Sequence, residues 1–212
     1  MPYRFTPFVN NEFYHVLNRG VAQMPTFRFP SNYKRFIKTM LYYQIEGPKP
    51  RFSFFNPTKT ILNPTKKIVD IVCYCLMPNH FHFLIKQLRP NGISEFVGKL
   101  SNSYTKYFNI KHKRSGPLFQ GQFKAVHIES NEQLLHLSRY IHLNPLVSYV
   151  TRSLEKYPWS SYPEYVNLSS SNISSKEIIL EQFRSIENYK QFVIEQEDYG
   201  KKLELIKHQL LE

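Results

Sequence analysis

Three consecutive stretches decide the architecture: IVDIVCYCL at 68–76, Met77-Pro78-Asn79, and HFHFLIK at 80–86. The first is dense in β-branched and apolar residues, as a central, largely buried strand requires. Met77-Pro78-Asn79 is a tight turn, and the third stretch is again strand-like. Two strands joined by so short a connection form an antiparallel hairpin. Side chains alternate faces along a strand, so His80 and His82 point one way while Phe81 and Phe83 point the other.

Outward from the hairpin, Phe13-Tyr14-His15-Val16-Leu17 reads as a strand stopped by the turn residues Asn18-Arg19-Gly20. Ser31 is a good N-cap for a helix reaching about Ile45, with Tyr33, Phe36, Ile37, Met40 and Leu41 at helical spacing and Gly47-Pro48 as its stop. Residues 47–67 carry four prolines among several Lys and Arg and read as a long, basic, irregular insertion. Beyond the hairpin, a helix spans about 93–111, a Gly- and Pro-containing loop runs to 124, and a strand covers 123–128. Ser130 opens another helix that Asn144-Pro145 is expected to close. Tyr157-Pro158-Trp159 reads as a docking segment, with Trp159 anchored by apolar burial. A Ser-rich linker follows at 167–175, and short helices near 176–196 and 199–211 form a tail. The order β-α-β-β-α-β predicts an α+β fold: a ferredoxin-like, split β-α-β four-stranded antiparallel sheet with helices, plus a C-terminal helical tail. Residues 1–165 are expected to form the working domain and 166–212 the linker and tail.

Composition narrows the function classes. The chain has 212 residues, 28 Lys and Arg against 16 Asp and Glu, and a formal charge of +12. The signs are segregated: residues 1–128 hold nineteen basic and four acidic side chains, residues 129–212 nine and twelve. A basic body ahead of a mildly acidic tail is the footprint of a phosphate-binding protein. Cys73 and Cys75 are the only cysteines, which excludes a disulfide framework and suits a reducing cytoplasm. Packing is the simpler use for that pair, because a zinc site needs a second ligand pair. No apolar run approaches the roughly 20 residues of a membrane span. The N-terminal residues also lack the apolar core of a secretory signal, so a cytoplasmic, nucleoid-associated location without membrane contact is expected.

Two imidazoles side by side on a strand suit adjacent ligation of one divalent metal, although ordinary half-buried histidines fit the same pattern. On the helix after Ser130, His136, Tyr140 and Asn144 fall at i, i+4 and i+8. Asn144 offers an amide oxygen and Tyr140 a phenol. Taken alone, these residues fit a helix whose tyrosine merely caps a core better than a reactive site. Lys106, Tyr107, Lys111, Lys113, Arg114, Phe119 and Lys124 interleave cations with aromatics, the mixture that neutralises phosphates and stacks unpaired bases.

The blocks FYHVLNRG at 13–20, CLMPNHFHFLI at 75–85, GPLFQGQFKAV at 116–126, RYIHLNP at 139–145 and YPWSSY at 157–162 together resemble the IS200/IS605-type transposases, in particular REP-associated tyrosine transposases. The likeness spans about residues 13–165. It implies an HUH (His-hydrophobic-His) endonuclease in which His80 and His82 hold Mg2+ or Mn2+ and Tyr140 is the nucleophile. Asn144 falls where relatives carry a polar third ligand. Arg19, in the Asn18-Arg19-Gly20 block, joins Lys106, Lys111, Lys113, Arg114 and Lys124 as an expected DNA contact. Tyr104 and Tyr107 are competing nucleophiles. The expected substrate is single-stranded or hairpin DNA, cleaved and rejoined through a 5′-phosphotyrosine. Relatives differ in whether they form a homodimer, which leaves assembly of the site in cis or in trans open. A non-catalytic sheet-based nucleic-acid binder and a phosphoesterase using water are the competing functions.

Overall fold

The computed structural model describes residues 7–47, 49–59 and 62–197. Strands β1 (Phe13–Arg19), β2 (Val69–Met77), β3 (His80–Gln87) and β4 (Lys124–Ile128) form one sheet in the order β2-β3-β1-β4, with every neighbouring pair antiparallel. This is the ferredoxin-like α+β arrangement that the order of elements predicts. Helices α1 (Pro30–Gln44) and α2 (Gly92–Lys111) pack on the face carrying Tyr14, Val16, Phe81 and Phe83. The other face carries Cys73, Cys75 and Leu84. It is covered by α3 (Asn131–Val147) and by the later short helices α4 (Tyr162–Tyr165), α5 (Glu177–Leu180) and α6 (Ile186–Ile194). The sheet is therefore sandwiched, and each face has its own apolar core.

Several boundaries differ from expectation for local reasons. Ser31 lies inside α1 rather than capping it. Pro30 takes the first turn, where its missing N–H costs nothing, and the Asn32 side chain accepts from the amides of Arg28 and Phe29 at 3.2 and 3.1 Å. Helix α3 does not stop at Asn144-Pro145 but runs on to Val147. Proline removes only its own donor, and its carbonyl accepts from the amides of Val150 and Thr151 at 2.9 and 3.0 Å. Buried Leu143, Leu146 and Val147 hold that last turn against the sheet.

The 47–67 segment is better anchored than an irregular insertion would be. Phe52 and Phe55 set their rings 5.1 and 4.8 Å from that of Tyr42, and Ile45 pairs with Lys67 to close the excursion at its base. The Ser-rich 167–175 segment is likewise built round a partner. The buried Glu164 carboxylate accepts from Ser171 Oγ at 2.9 Å and from the amides of Ile173 and Ser174 at 3.2 and 3.0 Å. Trp159 stacks 4.6 Å from Tyr33, and the Leu76 and Ser161 amides donate to Trp159 O and Tyr74 O, both at 2.9 Å. The docking segment thus pairs with the outer edge of β2, an edge that would otherwise expose unpaired backbone. Within 176–196 the expected helix resolves into α5 and α6; the helix expected at 199–211 lies outside the described residues.

His142 ties these layers together. It is fully buried, with Nδ1 2.7 Å from Tyr189 Oη on α6 and Nε2 2.7 Å from Ser161 Oγ. Burial pushes its pKa down to about 3. The folded state holds this imidazole neutral, whereas the unfolded chain protonates it near pH 6.5. Unfolding therefore takes up a proton below that pH, and stability falls as the pH drops from about 6.5 towards 3. The expected slope from this residue is about 1.4 kcal/mol per pH unit. Denaturant titrations across pH 4.5–7.5 check it: in His142→Gln the slope should shrink by about one proton.

Candidate active site

The alternation of β3 sends Phe81 and Phe83 into the α1/α2 core and turns His80 and His82 to the face beneath α3. The two imidazoles lie edge to face with centroids 4.9 Å apart. In the sheet register His82 stands between Cys75 of β2 and Leu17 of β1, and His80 between Met77 and Arg19. Tyr140, projecting from α3 and 44% exposed, places its ring edge-on to His82 at 5.5 Å. One chain therefore assembles the histidine pair and the tyrosine from its own residues.

His15, on β1, belongs to this cluster and was not picked out among the candidates in the sequence. Its ring stacks on His82 at 5.2 Å and meets Tyr140 edge-on at 6.2 Å. His15 Nε2 lies 2.9 Å from His82 Nδ1. Burial lowers the His15 pKa to about 4, so the ring is neutral, and the tautomers decide which of the two nitrogens donates. On the other histidine, Nδ1 lies 2.6 Å from Asn79 Oδ1, an acceptor. The Asn79 contact sets the Nδ1–H tautomer of His80 and leaves its Nε2 as the basic nitrogen, and with His82 Nδ1–H donating to His15 the same would hold for His82, the arrangement that outer hydrogen bonds impose on metal-binding histidines. The signal for His15 was available: it shares the period-two face of β1 with Leu17 and Arg19.

The donor set fits a divalent ion through two imidazole nitrogens. Among the described residues no group of three or more His, Cys, Asp or Glu is placed to hold a metal. Asn144 is buried one turn beyond Tyr140, with its Oδ1 accepting from Ser148 Oγ at 3.5 Å. His136 does not join the cluster. Its ring faces Phe192 at 5.9 Å and its Nε2 lies 3.8 Å from Glu132, because each four-residue step carries a position about 40° round the axis. Tyr104 is fully buried, donates to Thr26 O at 2.7 Å and has its pKa raised by burial, so it lies in the wrong layer for a nucleophile. Tyr107 also lies on α2, across the sheet from the histidines.

The expected DNA contacts divide between the two faces. Arg19 ends β1 opposite His80, with Nε donating to Gln120 Oε1 at 2.7 Å, and Lys124 pairs with Leu17 on the histidine side. Lys106 and Lys111 lie on α2 behind the sheet. Lys113 follows the end of α2. Arg114 braces its loop, donating to Asn109 Oδ1 at 2.7 Å and to Pro117 O at 2.9 Å.

The hairpin turn that presents His80 is clamped from the side. Pro78 O accepts from the amides of Thr26 and Phe27 at 2.9 Å, and Asn79 O accepts from the Gly20 amide at 2.7 Å. At Gly20 a Cβ would collide with the Met24 carbonyl, which is backbone and cannot swing aside. Gly20→Ala should therefore cost about 1–3 kcal/mol of stability, read as a lower denaturant midpoint. The clamped turn, and His80 with it, should shift as well.

Comparison with known proteins follows the same lines. Residues 59–144, from ahead of β2 to Asn144, match the family described as Transposase IS200 like. Over those residues the chain is similar to this class of transposases. Its fold is that of the REP-associated tyrosine transposases: it superposes on the structure of one such protein bound to a REP hairpin with a TM-score of 0.55, at 12% identity, over 82% of this chain and 90% of that one. A structure described as a transposase from Deinococcus radiodurans R1 aligns with a TM-score of 0.38, at 12% identity, over 66% of this chain and 95% of that one. No curated protein matches. Among the described residues no helix is long and apolar enough to cross a membrane.

Proposed function

We propose that this protein is a transposase, a metal-dependent endonuclease and strand transferase for single-stranded, hairpin-forming DNA, with Tyr140 as nucleophile. The observation that carries the reading is the edge-on approach of Tyr140 to His82, on the sheet face the histidines share. Nε2 of His80 and of His82 would hold Mg2+ or Mn2+, with the Asn144 amide as a candidate further ligand. Such an ion, when bound, draws charge from a non-bridging oxygen of the scissile phosphate and makes phosphorus more electrophilic.

The chain's own groups supply the remainder. Tyr140 Oη attacks phosphorus in line and forms the Oη–P bond. The P–O3′ bond breaks, its electron pair leaves on O3′, and that oxygen takes up a proton while the phenol gives one up. The products are a free 3′-OH and a 5′-phosphotyrosine. This link retains the phosphodiester's energy, so a second 3′-OH can displace the tyrosine and rejoin the strand without a nucleotide triphosphate. Tyr140, at the outer surface of α3, is open to a strand that arrives over the sheet. Arg19 and Lys124, on the same face, are placed to neutralise its phosphates. The catalytic unit would lie within residues 1–165, with 166–212 as a tail that backs α3.

Incubation with hairpin DNA and Mn2+ should yield a protein–DNA complex that survives denaturation and is lost with EDTA. Metal-independent binding with no such complex would favour a non-catalytic DNA binder. Cleaved ends free of protein would favour water as the nucleophile.

A further inference from the structure

Behind the sheet, α1, α2 and the 49–53 segment enclose a cavity of about 730 Å³. Arg35, Lys49, Arg51, Lys99, Lys106 and Lys111 line it, and no carboxylate does among the described residues. Glu95, outside the lining, takes Lys99 Nζ at 2.7 Å and also pairs with Arg89. Two of the other cations meet neutral acceptors. Lys49 Nζ donates to the Tyr42 and Ile45 carbonyls at the end of α1, and Lys111 Nζ to Ser31 Oγ and Tyr107 Oη. Burial together with the charge of Lys99 lowers the Lys49 pKa to about 8. Arg35 lies between the rings of Phe52 and Tyr107, at 4.4 and 5.1 Å, and its buried Nε has no hydrogen-bond partner.

Concentrated cationic charge, an aromatic–guanidinium wall and a volume suited to a bound organic molecule describe a site for a phosphorylated, base-bearing ligand. We propose that this cavity is a second nucleotide-binding site, separate from the Tyr140 face, that takes one or two unpaired nucleotides with their phosphates against the lysines and a base on Tyr107. The nucleotides come either from a single-stranded stretch of the DNA substrate, which rests on the function proposed above, or from a free nucleoside polyphosphate. The 49–53 segment forms part of the wall, which gives the 47–67 insertion a purpose: it closes over α1 and α2 a groove that would otherwise lie open.

The test uses full-length protein, a fluorescent dT decamer without a hairpin, and ATP as the free-nucleotide probe. Lys99→Glu with Arg51→Glu alters two exposed cations and leaves the core intact, which a melting curve checks. The double variant should lose about tenfold or more in affinity for the decamer, with the salt slope reduced by one to two. If the loss falls on the decamer, the site serves a DNA strand; if it falls on ATP, a free nucleotide. In wild type, a 5-bromouracil-substituted decamer should crosslink to the peptide carrying Tyr107. Unchanged affinity for both probes, or crosslinks confined to β1, β3 and α3, overturns the proposal. Adduct formation on hairpin DNA is scored separately in wild type, so failure of the catalytic reading would not be mistaken for failure of this one.

Discussion

Tyr140→Phe should form no denaturation-resistant complex with hairpin DNA, while binding that DNA as well as the wild type. The substitution removes one oxygen and keeps the ring, so the edge-on contacts with His82 and His15 persist, and at a position 44% exposed little stability is at stake. Without a nucleophile at Oη the covalent step has no substitute, and the loss should be at least about 10³-fold in adduct formed per unit time. Tyr104→Phe is the matching control: it deletes a buried hydroxyl that donates to Thr26 O, so it should lower stability and leave the adduct in place. An adduct persisting in Tyr140→Phe would move the nucleophile elsewhere.

The second large effect is expected at the histidines. His80→Ala or His82→Ala removes one of two imidazole nitrogens, and cleavage should fall about 10²–10⁴-fold with no recovery as Mn2+ is raised. His15→Gln is expected to behave differently. It disturbs the hydrogen bond that holds the His82 ring but leaves both nitrogens present, so the half-saturating Mn2+ concentration should rise about 10–100-fold and the rate at saturation should largely return. Metal titration of cleavage separates the two patterns. Equal, unrecoverable loss in all three variants would mean that His15 is itself a ligand or simply holds the fold.

Much of this site was legible in one dimension because strands and helices are periodic. Alternation along HFHFLIK is enough to put both histidines on one face and the phenylalanines on the other, and the order of elements is enough to specify the four-stranded sheet. The Ser130 cap is local in the same way, its hydroxyl accepting from the Gln133 amide at 3.2 Å. Local signals failed where a distant partner outweighed them. Pro145 does not end α3 because the sheet buries the turn beyond it, and Ser31 yields its capping role to Asn32, whose amide also lies 3.4 Å from His112 Nε2, 80 residues away.

The residues alone were sufficient for the histidine pair, the charged body and the likeness to the family, since each is a matter of residue type and short spacing. They were insufficient for the arrangement that gives those groups their chemistry. His15 and His82 are 67 positions apart and meet because β1 enters the sheet beside β3, and Tyr140 reaches them because α3 crosses that face. The cations that read as one stretch, Lys106 to Lys124, are parted by the sheet itself, with Lys124 on the histidine face and Lys106 and Lys111 behind it. Which side of a sheet a residue occupies depends on strand order and register, and long-range pairing sets both.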